Sequence, residues 1–160
     1  MFDTHTLFFT ALLSLLPISE LRGAIPYALA SGIPLWFASS YCVIFNILAG
    51  PIALLFLETL HRLFLRMAWY RKLFDRLVAR ARKKVAEKVE RYGYIGIILF
   101  VAVPLPITGA WTGTLGAWVL GLSRKKTMLA VAAGVIIAGI VVSIVCYFGI
   151  EALSFFLKKV

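Results

Sequence analysis

Hydrophobic residues form four long stretches along the chain, and polar positions separate them. The stretches cover residues 7–34, 36–57, 94–122 and 127–150. The second and the fourth contain no charged residue. At about 1.5 Å per helical residue, each of these two is long enough to span a hydrocarbon core of roughly 30 Å. The pattern therefore predicts two transmembrane helices.

The first and the third stretch are each interrupted near the middle by prolines, glycines and polar residues. We call residues 17–26 the first tip and residues 104–110 the second tip. Each half that remains has about 10 to 14 residues, roughly 15 to 20 Å of helix, which is too short to cross a membrane alone. Both stretches are therefore predicted to form re-entrant helical hairpins.

The segment between the second and the third stretch is strongly basic. Residues 62–91 contain 11 Lys or Arg and 3 Asp or Glu, a net charge of +8 out of the chain's +10. Apolar positions recur there every three to four residues, which predicts a basic amphipathic helix. This helix either lies on an anionic membrane surface or packs on its neighbours with its basic face in solvent. The positive-inside rule places it on the cytoplasmic side.

The order of the elements predicts an inverted repeat. Re-entry of the third stretch keeps the basic cluster 124–126 on the same side as residues 62–91, whereas a single crossing would separate them. A hairpin followed by one spanning helix then occurs twice, in opposite orientations, which is a recurring transporter architecture. Two Gly-Ala pairs, at 23–24 and 109–110, also match at an offset of 86 residues.

The predicted fold is an all-α integral membrane protein with one membrane domain. Its parts are repeat 1 (residues 1–58), the basic helix (59–92), repeat 2 (93–153) and a short tail (154–160). Each repeat is a re-entrant hairpin plus one transmembrane helix, and the cytoplasmic basic helix joins the two. A homodimer is expected because two spanning helices alone give little surface to shield two tips from lipid.

Composition narrows the class of protein further. The chain is 62% hydrophobic and only 15% charged, which excludes an ordinary soluble domain. Its positive charge is concentrated in one segment. This distribution indicates the orientation of the chain in the membrane and not a nucleic-acid site. Cys42 and Cys146 lie in apolar stretches and predict neither a disulfide framework nor a metal site. Residues 7–16 resemble a signal-peptide core, but Glu20 follows closely and no Lys or Arg precedes Arg22, so we expect no cleaved leader.

The first tip carries two charges, Glu20 and Arg22, in an otherwise apolar stretch. Non-helical backbone at membrane depth is tolerated only where protein buries it or water reaches it, so this tip predicts a polar cavity. Glu20 is a candidate proton carrier, and the planar guanidinium of Arg22 is a candidate ligand for a phosphate or a carboxylate. The alternative is an internal ion pair that neutralises the tip.

The second tip has no charge, but hydroxyl groups, prolines and glycines are frequent in and after it. Half-helix N-termini there are expected to offer free N–H groups and a partial positive charge to an anion. Trp111 either lines the path or packs as an ordinary aromatic. Asn46 and Pro51 make either a polar kink that faces the cavity or a packing kink. The residues expected to bind substrate are Arg22, Gly23, Asn46, Pro106, Thr108, Gly109, Trp111 and Thr112.

Motifs of enzymes and ATP-driven pumps do not occur in the chain. There is no glycine-rich nucleotide loop, no His/Glu metal spacing and no serine elbow. We therefore expect no catalytic residue, no metal and no cofactor. A row of small residues, Ala130, Gly134 and Ala138, favours close helix packing or dimerisation.

The sequences of the two tips resemble one protein family. Residues 17–26 read Pro-Ile-Ser-Glu-Leu-Arg-Gly-Ala-Ile-Pro, and residues 104–113 read Pro-Leu-Pro-Ile-Thr-Gly-Ala-Trp-Thr-Gly. Both are similar to the small multidrug export protein family, and the resemblance covers nearly the whole chain. That family is itself similar to the DedA membrane proteins, also called the SNARE-associated or VTT group.

This resemblance implies a multi-pass transporter in the inner membrane of a bacterium or an archaeon, with two inverted re-entrant hairpins. DedA relatives are linked to proton-dependent movement of lipid-linked phosphates or phospholipids and to drug tolerance, and they need acidic and arginine residues in the hairpins. By motif position this role falls on Glu20 and Arg22. The second tip has no arginine at the place where a DedA protein carries one.

The leading hypothesis is a secondary, proton-coupled transporter or lipid translocase, without covalent chemistry. Its substrate is anionic or amphiphilic, such as a lipid-linked phosphate or a drug. Glu20 exchanges a proton, Arg22 and the hairpin ends bind substrate, and the two repeats alternate access. The expected partners are membrane lipids, protons and this substrate, and nucleic acid is not expected. The alternatives are a membrane scaffold or leaflet sensor that acts through residues 62–91 and an intramembrane lipid-phosphate enzyme.

Overall fold

Two short helices and one long helix follow each other twice along the chain. The computed structural model describes residues 3–59, 74–76, 79, 92–105 and 108–157. The helices in the first part are α1 (Thr4–Leu15), α2 (Glu20–Ala30) and α3 (Leu35–Glu58), and those in the second part are α4 (Tyr94–Ala102), α5 (Ala110–Val119) and α6 (Arg124–Leu157). The basic helix predicted over 62–91 lies outside the described residues, except for positions 74–76 and 79.

The two long helices are the ones predicted to span the membrane. Leu35–Glu58 and Arg124–Gly149 are long and apolar enough to cross it, and the 24 residues of α3 measure about 36 Å at 1.5 Å per residue. The long helix α6 begins before the predicted stretch 127–150. Its three basic residues are good helix formers and continue the helix instead of forming a loop.

The surface of the described part is rich in large apolar side chains, while several polar side chains are buried. The exposed apolar residues include Phe8, Trp36, Leu55, Leu129 and Phe148. The buried polar residues include Thr10, Ser14, Asn46 and Thr114. An apolar surface of this extent is unfavourable in water and matches the acyl chains of a bilayer.

The first tip is more regular than predicted. Only residues 16–19 are irregular, because α1 ends at Leu15 and α2 begins at Glu20. Pro26 lies inside α2. Its fixed φ is compatible with a helix, but it removes the hydrogen bond to the carbonyl of Arg22, four positions earlier, and its ring crowds that carbonyl, so the helix continues at a local cost. The second tip agrees with its prediction, since α4 ends at Ala102 and α5 begins at Ala110.

Small residues let the helices approach closely. The most extensive contact between helices in the described part joins α4 and α6. At Gly134, a Cβ atom would lie 2.6 Å from the Cβ of Val101 and 2.9 Å from the carbonyl oxygen of Ile98. The predicted row of small residues on α6 therefore serves close packing within the chain at this position.

We expect Gly134→Ala to destabilise the protein and Gly149→Ala to leave it intact. The new methyl group at position 134 has to displace α4, and overpacking of this kind costs about 1–3 kcal/mol. At position 149, on the same helix, a Cβ atom meets nothing within 4 Å, and alanine improves helix propensity by about 1 kcal/mol. Thermal unfolding of both variants in detergent measures the difference. Equal melting temperatures would contradict the packing described for α4 and α6.

Candidate functional site

The two tips bind each other through the charged residues of α2. Glu20, in the first turn of α2, is only 6% exposed. Its φ of 47° lies in the left-handed region, which is uncommon for a residue with a side chain and is frequent at functional sites. The chain enters α2 through this strained residue, and the carboxylate lies against the second tip.

The carboxylate of Glu20 caps helix α5. Its Oε1 accepts a hydrogen bond from the backbone N–H of Trp111 at 3.4 Å, in the first turn of α5. The first N–H groups of a helix have no acceptor within the helix and carry a partial positive charge. The sequence predicted that this helix end would face an anion, and in the structure a side chain of the first tip supplies that anion.

Gly109 makes room for this contact. It directly precedes α5 with a φ of 151°. A Cβ atom built on it would overlap the carboxylate of Glu20. Glycine is therefore required here both for the backbone conformation and for the close approach of the carboxylate.

Arg22 binds backbone carbonyl groups of the second tip, whereas Glu20 binds a backbone N–H group. Its Nη1 donates to the carbonyl oxygen of Leu105, and its Nη2 donates to that of Thr108 at 3.2 Å. The hydroxyl of Thr108 holds the loop in shape, since its oxygen lies 2.6 Å from the carbonyl oxygen of Val103 and accepts the N–H of Leu105 at 3.1 Å. Backbone carbonyls left free between α4 and α5 thus find a charged donor.

The first tip contains no direct ion pair, although the charge of Arg22 still acts on the Glu20 carboxylate. Glu20 and Arg22 form no salt bridge with each other, and the ion pair found in the described part joins Arg124 and Glu58. In addition, α5 binds the end of α1, because Nε1 of Trp111 donates to the carbonyl oxygen of Leu15 at 2.8 Å. This ring therefore has a specific polar partner in addition to its packing.

A small cavity of about 10 Å³ lies between the tips, enough for about one water molecule. Of the residues predicted to form the site, Glu20, Arg22, Asn46, Thr108 and Gly109 line it. The amide of Asn46 is close enough to interact with the Glu20 carboxylate but forms no hydrogen bond of good geometry.

The remaining predicted residues are not among those that line this cavity. Trp111 touches the site through its backbone N–H, and Gly23 and Thr112 do not line the cavity. Pro106 lies outside the described residues. No group of three or more His, Cys, Asp or Glu that could hold a metal ion occurs in the part of the chain that the structure describes.

Sequence reasoning missed the apolar lining and the backbone partners of the site. Val101 on α4 and three residues of α6, Val135, Ala138 and Val142, complete the cavity wall. Apart from Ala138, which belongs to the predicted row of small residues, nothing in their residue types distinguishes them from lipid-facing positions of the same stretches. Helical spacing was the available signal, since the three residues of α6 recur every three or four positions and so share one face.

Comparison with known proteins identifies the family. The model of a family described as "Putative small multi-drug export protein" matches residues 20–141, which is most of the chain. The chain belongs to this family. The match begins at Glu20, within the first tip, and extends through the second tip to the middle of α6, so it includes every residue of the cavity wall except Val142. Searches of curated proteins and of solved structures found no significant match.

We expect Gly109→Ala to destabilise the protein more than Gly32→Ala does. Both glycines have a positive φ, 151° and 81°, which disfavours a side chain; the ψ of −167° at Gly109 puts it in a region that is essentially limited to glycine, at a cost of about 1–3 kcal/mol. At Gly32 a Cβ atom meets nothing within 4 Å, whereas at Gly109 it displaces the Glu20 carboxylate. The displaced contact adds roughly 1–3 kcal/mol. Unfolding curves of the two variants in detergent give the difference, and an equal loss for both would refute the contact.

Proposed function

We propose that this protein is a secondary exporter of small amphiphilic molecules, driven by protons that bind to Glu20. The supporting observation is the position of that carboxylate, which is buried and bridges the two tips through the N-terminus of α5. The description of the family also supports export. In a membrane protein, an ionisable side chain at such a place is a candidate member of a transport pathway.

The closeness of the tips indicates an occluded arrangement. The cavity between them holds about 10 Å³, whereas pockets for drug-sized molecules have roughly 300–1,000 Å³. A substrate therefore enters only when the tips separate. Separation breaks the contacts of Glu20 and Arg22 with the second tip. Transport therefore requires that these contacts break and form again.

Exchange of a proton at Glu20 provides a way to couple these contacts to a proton gradient. A buried carboxylate is stable in its ionised form only while hydrogen bonds or positive charges compensate it. When the tips part, Glu20 loses the N–H of Trp111 and is no longer buried, so the free energy of proton binding differs between the closed and the separated arrangement. Protonation and separation of the tips are thus coupled, as a proton-driven transporter requires.

We propose that Arg22, once released from the carbonyls of the second tip, binds the anionic group of a substrate, such as a lipid-linked phosphate, as the similarity to DedA proteins implies. We further propose that each pair of short helices is a re-entrant hairpin of an inverted repeat, that the protein forms a homodimer, and that no covalent step takes place.

Glu20→Gln is expected to abolish proton-driven transport while it preserves the fold. The amide oxygen of glutamine still accepts the N–H of Trp111, but glutamine cannot exchange a proton. The measurement uses the purified protein in proteoliposomes with an imposed pH gradient and two probes, a fluorescent anionic phospholipid and a soluble amphiphilic dye. We expect gradient-dependent movement of at least one probe by the unmodified protein and movement at the level of protein-free vesicles by the variant.

Asp3→Asn is the matched control, because it removes an exposed carboxylate outside the helices. It is expected to transport like the unmodified protein. Transport by Glu20→Gln at the unmodified rate would contradict the role of Glu20. If the unmodified protein moves neither probe across a range of gradients, the exporter proposal fails for both substrate classes.

A further inference from the structure

The side chain of Asn46 is buried without a hydrogen-bond partner. It lies near the middle of α3 and is 1% exposed. Neither its Nδ2 nor its Oδ1 has a partner among the residues that the structure describes, and less than 1 Å² of either atom is accessible. A buried polar group without a partner costs free energy, and native proteins contain few of them. Both ends of one amide are in this state here.

The neighbour of this amide is the carboxyl group of Glu20. Water in the cavity between the tips does not reach the two polar atoms, because they have almost no accessible surface. The other polar side chains on the cavity wall are Arg22 and Thr108, and both are bound to backbone carbonyls between α4 and α5. The Glu20 carboxylate is close enough to the amide to interact with it. A movement of the Glu20 side chain alone can therefore join the two groups.

An ionised carboxylate does not match both ends of this amide. It only accepts hydrogen bonds, so it can pair with Nδ2 of Asn46 but leaves Oδ1 unsatisfied. A protonated carboxyl group has a donor beside an acceptor, as a primary amide has. Two hydrogen bonds then join the groups, one from the O–H of Glu20 to Oδ1 of Asn46 and one from Nδ2 to the carbonyl oxygen of the acid. Both unpartnered atoms of Asn46 are thereby satisfied.

The surroundings of Glu20 hold the anion and the neutral acid in different ways. The anion has the N–H of Trp111, the partial positive charge at the start of α5 and the charge of Arg22. The neutral acid loses most of this attraction, and its O–H needs an acceptor. Arg22 and Glu20 are the charged residues of the cavity wall, and α4 and α6 contribute apolar residues to it. Oδ1 of Asn46 is an acceptor at this site that no other described group occupies.

We propose that Asn46 is the hydrogen-bond partner of Glu20 when Glu20 carries a proton. Protonation then transfers the carboxyl group from the start of α5, in the second half of the chain, to α3, in the first half. The second tip loses its anion, and the tips become free to separate. Asn46 is thus a positioning residue of the proton-exchange step. The inference rests on the proposed function in that Glu20 exchanges a proton, and it assumes nothing about the substrate.

The test follows the carboxyl group itself, by infrared difference spectroscopy of the purified full-length protein in detergent while the pH is lowered. Protonation of a carboxylate produces a C=O stretching band, and loss of a hydrogen bond moves this band to higher frequency. The part of the band that is missing in Glu20→Gln belongs to Glu20. The same spectra are recorded for Asn46→Leu, which has a branched apolar side chain, and for Asn46→Gln, which keeps an amide.

We expect the Glu20 band to lie at higher frequency in Asn46→Leu, because the acid has lost its partner. Proton binding should also weaken about tenfold, so that the band appears at a pH about one unit lower. Asn46→Gln should lie closer to the unmodified protein in both quantities. Cys42→Ala is the matched control and should change neither, because Cys42 is 0% exposed, lies one turn earlier on the same face of α3 and does not line the cavity.

Melting temperatures separate this role from a purely structural one. Asn46→Leu removes an unsatisfied buried amide, so at a pH where Glu20 is ionised it should be at least as stable as the unmodified protein. This advantage should shrink as the pH is lowered, because only the unmodified protein then gains the bonds between Asn46 and the protonated carboxyl group. A difference in stability that is the same at every pH would contradict the proposal.

The outcomes also separate this inference from the export proposal. An unchanged Glu20 band in Asn46→Leu would overturn the inference, as would stronger proton binding, which would mean that the amide stabilises the ionised carboxylate. Glu20 would still exchange a proton in both cases, and export would stand. If the band depends on Asn46 but the unmodified protein transports neither probe, export fails and the inference stands. If Glu20→Gln removes no part of the band, Glu20 takes up no proton and both fail.

Discussion

The contact between the tips depends on two charged side chains that lie two residues apart and bind groups of opposite polarity. Glu20 accepts an N–H at the start of α5, and Arg22 donates to the carbonyls of the preceding loop. A helix break in a membrane leaves both kinds of backbone group unsatisfied, at a cost of several kcal/mol each in lipid. One side chain of each charge satisfies them, and this brings the two halves of the chain together.

Close packing around the tips depends on the absence of side chains at a few positions. Gly109 admits the carboxylate of Glu20, and Gly134 admits α4 against α6. Alanine is the most frequent residue of the buried core, and its small side chain allows backbones to approach. Because lipid provides no hydrophobic drive for helices to associate, such packing and the polar contacts between the tips carry the association.

The sequence predicted the elements better than their contacts. Charge-free stretches located α3 and α6, and prolines located both breaks, because length and polarity act locally. The first tip was predicted to be irregular as far as Pro26, but Pro26 lies inside α2, since one lost hydrogen bond does not end a helix. Arg22 was a visible candidate, yet its partners are carbonyls of Leu105 and Thr108. Every residue has a backbone carbonyl group, so the sequence does not show which carbonyls accept a hydrogen bond from Arg22. Only the fold shows this.

The most direct test of the contact between the tips is a double-mutant cycle of Glu20→Ala and Gly109→Ala, read from unfolding free energies in detergent. If the carboxylate occupies the space next to Gly109, its removal makes room for the new methyl group. The double variant is then more stable than the sum of the single losses predicts, by roughly 0.5–3 kcal/mol. Additive losses, within about 0.5 kcal/mol, would show that Glu20 does not contact the second tip there.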